Sequence, residues 1–217
     1  MARWFVLLLA ISCATPRPDL PEAKRQVEAY VSSGTYAAEI AQVAGEARRY
    51  LESRAAAGGK LAMVADVDET AISNLQMMRL NDYGWIVNGP CDLQRGPCPI
   101  RGWTELSRGE PIRPVLELTR LAHQRGVAVF LITGRRETDR AATERMLRGA
   151  GYDWTRLVMK PEGLVVKSAV DFKAPERKRL ADEGYAIVLN IGDQQSDLDG
   201  GFAERTFKVP NPFYFGR

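Results

Sequence analysis

Short apolar runs alternate with amphipathic stretches along most of this chain. Apolar residues at consecutive positions are typical of strands buried on both faces, whereas apolar residues every three to four positions are typical of helices. The predicted strands lie at residues 60–65, 127–133, 157–159, 185–191 and 206–209. The predicted helices between them lie at residues 114–125, 139–148 and 173–183. This alternation predicts an α/β fold with a central, mainly parallel sheet and right-handed crossovers.

Two stretches differ from this pattern. Residues 19–57 are rich in alanine, with apolar positions at helical spacing, and they predict an N-terminal helical extension. Residues 81–111 are rich in glycine and proline and predict an irregular loop or small cap. Loops of this length in compact domains tend to be lids or binding loops. We therefore expect a core over residues 58–217 that carries an insertion at about 81–111.

Residues 1–18 have the pattern of an export signal and a linker. A short positive region precedes an apolar stretch over residues 4–11, which is too short to span a bilayer. Ala10-Ile-Ser-Cys13 resembles a bacterial lipobox, which predicts a lipid anchor on Cys13. The alternative is ordinary cleavage after Ala14. In both cases we expect an exported protein, either an outer-membrane or periplasmic lipoprotein or a secreted chain.

Cys91 and Cys98 lie close together in the predicted loop. In an exported protein such a pair can form a disulfide, and free thiols are the alternative. A metal site lacks ligands, since His123 is the only histidine and Cys13 is the only other cysteine. We therefore favour the disulfide.

Charge and motif content exclude several classes of function. Lys and Arg number 30 and Asp and Glu number 27, giving a net charge of +3 with both signs mixed along the chain. No dense basic run with interleaved aromatic residues is present, which argues against a nucleic-acid polymer as partner. The phosphate-binding loop Gly-x-x-x-x-Gly-Lys-Ser/Thr and the dinucleotide motif Gly-x-Gly-x-x-Gly are also missing.

Chemically capable side chains follow three of the predicted strands. Asp66 and Asp68 follow the first, Thr133 ends the second, and Asp193 and Asp197 follow the fourth. Because the carboxyl ends of parallel strands meet at one edge of a sheet, these groups should converge. Several carboxylates at one place repel each other unless a cation is shared, and oxygen ligands without His or Cys favour Mg²⁺. Such a site suits phosphoryl transfer.

The alternative for the first pair is structural. Asp68-Glu-Thr-Ala71 can start a helix, in which case Asp66 and Asp68 are helix caps. Likewise Thr133 could be a simple cap, Lys173 a solvated helix charge and Asp197 an N-cap.

The motifs at the strand ends resemble those of the haloacid dehalogenase (HAD) superfamily, and in particular its secreted acid phosphatases. These include bacterial class C acid phosphatases of the lipoprotein e type, plant acid phosphatases and vegetative storage proteins. The matching segments are Asp66-Val-Asp-Glu-Thr70, Leu131-Ile-Thr-Gly-Arg135, Gly192-Asp-Gln-Gln-Ser-Asp197 and Phe207-Lys-Val-Pro-Asn-Pro-Phe213. The superfamily also has a motif that consists of a single lysine upstream of the last strand. We assign it to Lys173, and the competing candidates are Lys160, Lys167 and Lys178. The resemblance implies the three-layer Rossmann-like fold of that superfamily.

The resemblance also implies roles for individual residues. Asp66 is the expected nucleophile, which forms an aspartyl-phosphate, and Asp68 is the expected acid and base, a task that requires a raised pKa. The expected phosphate-binding residues are Thr133, Gly134 and Lys173. The expected Mg²⁺ ligands are the carboxylates of Asp66 and Asp193 and the backbone carbonyl of Asp68. Asp197 is expected to orient the metal site.

The expected substrate is a small phosphomonoester, and nucleoside 5′-monophosphates are candidates because loop aromatics can stack on a base. Tyr83, Trp85 and Trp103 are the aromatic residues concerned, and the alternative is that they anchor the loop to the core. Two other functions stay open at this point. One is a non-catalytic envelope or storage protein on the same fold, and the other is a phosphotransferase that passes the phosphoryl group to an alcohol.

Overall fold

The computed structural model describes residues 19–215. The strands are β1 (Leu61–Ala65), β2 (Ile72–Ser73), β3 (Glu110–Pro111), β4 (Ala128–Arg136), β5 (Arg156–Lys160), β6 (Ala186–Gly192) and β7 (Arg205–Lys208). The helices are α1 (Leu20–Ser32), α2 (Thr35–Ala55), α3 (Leu75–Leu80), α4 (Ile100–Glu105), α5 (Arg113–Gln124), α6 (Arg140–Gly149), α7 (Val170–Asp182) and α8 (Gln195–Leu198). The predictions of an export signal and of lipidation at Cys13 lie outside the described residues.

Five parallel strands form the central sheet in the order β5-β4-β1-β6-β7, so the α/β prediction is confirmed. All residues of β1 are buried, as expected for the middle strand of a sheet that is covered on both faces. A separate pair, β2 and β3, is antiparallel. No helix within residues 19–215 is both long and apolar enough to cross a membrane.

The two faces of the sheet build two hydrophobic clusters, because successive side chains of a strand point to opposite faces. Met63 and Ala65 of β1 belong to the larger cluster, whereas Ala62 and Val64 belong to the smaller one. The larger cluster takes in α2, α5 and α6, and the smaller one includes Phe172 of α7. The result is the expected three-layer arrangement.

The helices predicted over residues 19–57 are present as α1 and α2, which meet at Gly34. The longer helix packs against α5 and β6, and its Ala47 and Leu51 are fully buried in the larger cluster. Helix α2 therefore shares the hydrophobic core of the sheet.

No helix starts at Asp68, although the structural alternative for the carboxylate pair required one. Residues 68–71 form a tight turn in which Glu69 has a φ of 55°, and the chain then enters β2. The next helix is α3, and its N-cap is Asn74. Neither Asp66 nor Asp68 caps a helix, so the structural alternative for this carboxylate pair falls away.

The insertion over residues 81–111 is more ordered than its composition predicts, since it contains α4 and β3. A disulfide joins Cys91 to Cys98, as predicted. The side chain of Asn81 donates to the carbonyl of Cys98 at 3.0 Å and accepts from its N–H at 2.7 Å. These contacts fix the base of the insertion beside α3.

The burial of α2 gives a stability prediction. We expect Leu51→Ala to lower the free energy of unfolding by about 2–5 kcal/mol, because it leaves a cavity in the core. Urea unfolding followed by circular dichroism measures this change. The matched control is Arg49→Ala, an exposed change on the same helix, for which we expect a change within about 0.5 kcal/mol. Equal effects of the two substitutions would contradict the placement of α2 in the core.

Candidate active site

The carboxyl edge of the sheet opens into a cavity of about 550 Å³. Asp66 follows β1 directly and Asp193 follows β6 directly, and both line this cavity. Helix α7 contributes Lys173 and α8 contributes Asp197. The structure therefore brings together the residues predicted from separate motifs at the edge where parallel sheets bind ligands.

Lys173 is the buried cation at the centre of the site, and only 4% of its surface is exposed. Its Nζ donates to Asp66 Oδ1, and it donates to Asp197 Oδ1 at 2.6 Å. Burial alone would lower the pKa of Lys173, but the charges of Asp66 and Asp197 outweigh it and raise this pKa. Lys173 therefore carries its positive charge at the cavity floor and is no solvated helix charge.

The three competing lysines lie elsewhere. Lys178 pairs with Asp182 on the exposed face of α7, and Lys167 is exposed outside the cavity. Lys160 lines the cavity, although its side chain forms no hydrogen bond or ion pair with Asp66 or Asp68. Only Lys173 reaches the carboxylate that follows β1.

Asp66, Asp193 and Asp197 form a buried carboxylate cluster, with one oxygen of each within 4.8 Å of the others. The pKa of Asp66 is raised well above its usual range, firstly by burial and then by the neighbouring carboxylates, against the opposing charge of Lys173. Asp66 Oδ2 accepts no hydrogen bond within residues 19–215. An oxygen-only, electron-rich donor set of this kind fits a divalent hard cation.

Asp193 is held by three neighbouring side chains. Thr70 donates to its Oδ1 at 3.1 Å, while Gln194 and Asn211 donate to its Oδ2 at 2.6 and 2.7 Å. Burial raises the pKa of Asp193, and the hydrogen bonds from Asn211 and Gln194 work against this rise. Asn211 lies in a segment that the resemblance singled out, but sequence reasoning gave it no role.

Asp197 combines a local and a long-range function. Its Oδ2 accepts the backbone N–H of Gln194 at 2.9 Å in a capping box at the start of α8, while its Oδ1 accepts Lys173. Gln194 itself is the N-cap, and Asp197 stands three residues later. Asp197 thus holds both the central lysine and the turn that carries Asp193.

Asp68 is bound by a guanidinium that sequence reasoning missed. Arg135 donates to its two oxygens at 2.9 and 2.6 Å, and Asn74 donates at 2.7 Å. Burial would raise the pKa of Asp68, but Arg135 and the hydrogen bonds lower it below its usual value. The raised pKa that the expected acid–base role of Asp68 requires is therefore not found in this arrangement. The available signal was the place of Arg135 two residues after Thr133.

Asn74, which orients Asp68, is itself held by Glu69. The two oxygens of Glu69 accept the N–H of Asn74 at 2.7 Å and its side-chain amide at 2.9 Å. Burial, followed by the charge of Asp68, raises the pKa of Glu69 to about 8. Asp68 is therefore fixed on one side by Arg135 and on the other by this buried pair.

Thr133 and Gly134 occupy the point where the pairing of β4 with β5 changes register. The strand continues to Arg136 and does not end at Thr133 as predicted. The Thr133 hydroxyl is fully buried and accepts the N–H of Arg135 at 3.1 Å, so it caps no helix. Gly134 lines the cavity and presents its backbone there.

Of the three aromatic residues predicted to stack on substrate, only Trp85 lines the cavity. Its ring centroid lies 4.7 Å from that of Tyr214, which sequence reasoning missed. Trp103 is buried in the core, and Tyr83 packs on Phe213. The stacking prediction is therefore wrong for Tyr83 and Trp103, which anchor the insertion instead.

The Asp68–Arg135 pair gives a prediction for stability against pH. Because the folded-state pKa of Asp68 is lowered, the pair stabilises the fold above the unfolded pKa of about 4, and this contribution is lost as pH falls through the folded pKa. We expect Arg135→Met to lower the free energy of unfolding by about 3–5 kcal/mol at pH 7, and by less at pH 3. Urea unfolding in EDTA at both pH values measures this.

The control for this prediction is Arg136→Met, which removes an exposed partner of Glu162 and should cost less than about 1 kcal/mol. Adding Asp68→Asn to Arg135→Met should recover part of the lost stability, since no unpaired charge is then buried. Equal losses in Arg135→Met and Arg136→Met would contradict the role of the buried pair.

Comparison with known proteins identifies the family. Residues 19–217 match the model of the family described as HAD superfamily, subfamily IIIB (acid phosphatase). Acid phosphatase 1 of Solanum lycopersicum is 33% identical over 205 residues, which are 93% of this chain and 78% of that protein. The stem 28 kDa glycoprotein of Glycine max is 31% identical over 157 residues, 70% of this chain, and the chain spans only 59% of that relative. Vegetative storage protein 2 of Arabidopsis thaliana is 29% identical over 196 residues, 88% of this chain and 71% of that protein.

A solved structure shares the fold. The class C acid phosphatase from Bacillus anthracis with tungstate bound aligns with 89% of this chain and 86% of that chain, at a TM-score of 0.69 and 20% identity. The match to the family model covers nearly the whole chain, and the strand-end carboxylates and Lys173 occupy one cavity. The chain therefore belongs to subfamily IIIB of the HAD superfamily, the acid phosphatases, and so to the phosphomonoesterases.

Proposed function

We propose that this protein is a Mg²⁺-dependent acid phosphatase that hydrolyses small phosphomonoesters through an aspartyl-phosphate on Asp66. The observation that carries the proposal is the buried Asp66–Lys173–Asp197 cluster at the floor of the cavity. The related fold solved with tungstate supports it, because tungstate is a tetrahedral oxyanion like phosphate. The fold places the cluster where ligands of α/β proteins bind.

The residues that would hold Mg²⁺ are the carboxylates of Asp66 and Asp193, together with the backbone carbonyl of Asp68. These buried oxygens fit a hard cation, which would supply charge neutralisation for the carboxylates and the phosphoryl group. Asn211, Gln194 and Thr70 already fix the direction of Asp193. Such supporting hydrogen bonds orient the ligands of metal sites.

In the first step, an oxygen of Asp66 attacks phosphorus while the bond from phosphorus to the leaving oxygen breaks. Lys173 holds Asp66 Oδ1, so Oδ2 is the oxygen left for the attack. Asp68 gives its proton to the leaving oxygen, and the alcohol departs. In the second step Asp68 takes a proton from water, and the water oxygen bonds to phosphorus. The bond between phosphorus and the Asp66 oxygen breaks, which releases inorganic phosphate and restores the carboxylate of Asp66.

Arg135 favours the charged form of Asp68, whereas the proposed mechanism requires the protonated form. Asp68 must be protonated when the leaving group departs, yet its pKa is lowered by Arg135. An incoming phosphoryl dianion brings negative charge next to Asp68, and a like charge raises the pKa of a carboxyl group. Substrate binding would therefore move Asp68 toward its acid form, with its side chain still held in place by Arg135 and Asn74.

The proposed substrates include nucleoside 5′-monophosphates. Trp85 and Tyr214 present rings to the cavity, with Val87 and Ile100 beside them. Stacking of a base on an aromatic side chain contributes about 1–3 kcal/mol. The cavity volume of about 550 Å³ lies within the usual range for small-molecule sites.

We also propose that the protein is exported, with residues 1–18 as signal and linker and Cys13 as the lipidated residue. The disulfide between Cys91 and Cys98 supports this, because disulfides persist in oxidising compartments. The glycoprotein names of the two Glycine max stem relatives point in the same direction.

The second candidate function is a storage role without catalysis. It is favoured by the likeness to vegetative storage protein 2 of Arabidopsis thaliana. The presence of Asp66, with Lys173 bound to it in a cavity, favours the enzyme instead.

The decisive experiment measures hydrolysis of 4-nitrophenyl phosphate. We expect activity that EDTA abolishes and Mg²⁺ restores, and that Asp66→Asn lowers on the order of 10³-fold or more because the nucleophile is lost. Asp182→Asn is the control, since it changes an exposed carboxylate paired with Lys178 and should keep full activity. Full activity of Asp66→Asn would contradict the mechanism, and an inactive wild-type protein with Mg²⁺ would favour the storage role.

The role of Asp68 predicts a dependence on the leaving group. Phenol leaves poorly without a proton, whereas 4-nitrophenol needs far less assistance. We expect Asp68→Asn to lower kcat/KM by about 10²- to 10⁴-fold for phenyl phosphate, and by clearly less for 4-nitrophenyl phosphate. Asp182→Asn again serves as control. Equal losses for the two esters would show that Asp68 does not protonate the leaving group.

A further inference from the structure

Cations are in excess on the cavity wall beyond the catalytic cluster. Arg101, Arg136 and Lys160 line this part of the wall, and Asp139 is the one carboxylate that lines it within residues 19–215. The catalytic carboxylates do not use these cations, because Asp66 pairs with Lys173 and Asp68 pairs with Arg135. None of these three cations is therefore neutralised by Asp66 or Asp68.

The sheet register places two of these cations side by side. Arg136 of β4 is the pairing partner of Lys160 of β5. Neighbouring strands lie about 4.8 Å apart, and paired residues of parallel strands project to the same face. Two like charges in such positions repel each other unless an anion lies between or beside them.

The surrounding carboxylates relieve this repulsion only in part. Glu162 binds Arg136 at 2.7 Å, and Asp139 binds Arg101 at 3.3 Å. The side chain of Lys160 makes no ion pair or hydrogen bond with any residue in the range 19–215. Its side chain is half-buried at the carboxyl end of β5. One positive charge in the cavity is thus left without a counter-charge from the described chain.

Apolar residues also line the cavity that holds these cations. Trp85, Val87, Ile100 and Val166 line the same cavity as Lys160. An apolar wall with a few convergent polar groups is the usual form of a small-molecule site, in which the polar groups set specificity. The apolar wall suits a flat or apolar leaving group, and the free ammonium suits an anionic substituent on that group.

We propose that Lys160, with Arg136 beside it, forms an anion subsite for the leaving group, so that the preferred substrates are phosphomonoesters carrying a second negative charge on an apolar or aromatic alcohol. The second group is a carboxylate or another phosphate. This subsite rests on the proposed phosphatase function and narrows its substrate class. Lys160 binds substrate here and takes no part in the transfer of the phosphoryl group.

The test compares three aryl phosphates of the same shape, with carboxylate, phosphonate or neutral carboxamide in the para position. For the wild-type protein with Mg²⁺ we expect a lower KM for at least one of the anionic esters than for 4-carbamoylphenyl phosphate. In Lys160→Gln this preference should fall about three- to tenfold, the range of a partly exposed charged contact. In Lys160→Glu the preference should turn toward the neutral ester.

The matched control is Lys167→Gln, which removes an exposed lysine outside the cavity and should leave the preference at its wild-type value. The preference should also weaken as ionic strength rises, because salt screens the contact. Hydrolysis of all three esters with equal KM, or a preference unchanged in both Lys160 variants, would overturn the subsite and leave the phosphatase function intact. Loss of that function would instead appear as no hydrolysis of any ester by the wild-type protein.

Discussion

The structure depends on the placement of one buried ammonium group among carboxylates. Lys173 is almost fully buried, and a buried charge without partners costs several kcal/mol. Its partners Asp66 and Asp197 come from the end of β1 and from α8, so three distant segments meet only in the folded chain. The same interaction that satisfies Lys173 also assembles the floor of the cavity.

The backbone around this cluster leaves little room for change. A Cβ at Gly192 would lie 2.6 Å from the Cβ of Asp197, so a side chain at this position would push the carboxylate away. Arg177 and Asn190 donate to the carbonyl of Asp197 at 2.7 and 2.9 Å and hold the main chain there. Precise carboxylate positions are what a phosphoryl-transfer site requires, because positioning supplies most of the catalysis.

Two segments outside the sheet close the cavity. The disulfide-linked insertion contributes Trp85, and the C-terminal segment contributes Tyr214, whose ring packs against it. The same C-terminal segment sends Asn211 to Asp193. The wall that would contact the leaving group is therefore coupled to the orientation of a proposed metal ligand. Under the proposed mechanism, the C-terminal segment therefore affects both substrate preference and metal binding.

The sequence by itself determined which strands end in polar residues and which of those residues meet in the cavity. Apolar runs with consecutive buried positions marked the strands, and the parallel topology then required Asp66, Asp193 and Asp197 to converge. The local sequence pattern was sufficient for this prediction, because a buried strand and its polar end are both recognised from residues that are adjacent in the sequence. The disulfide followed from two cysteines in one loop.

The tertiary structure decided which side chains touch. Arg135 lowers the pKa of Asp68 because a turn and a change of strand register bring the two side chains together. The place of Arg135 two residues after Thr133 did not by itself show that contact. Tyr83 and Trp103 turned inward while Tyr214, more than a hundred residues from Trp85, turned to the cavity. The sequence does not show which aromatic residues of a loop are buried and which line the cavity, because burial depends on the segments that pack against them. Long-range side-chain contacts therefore shaped the aromatic wall of the cavity, whereas the local sequence pattern placed the carboxylates at its floor.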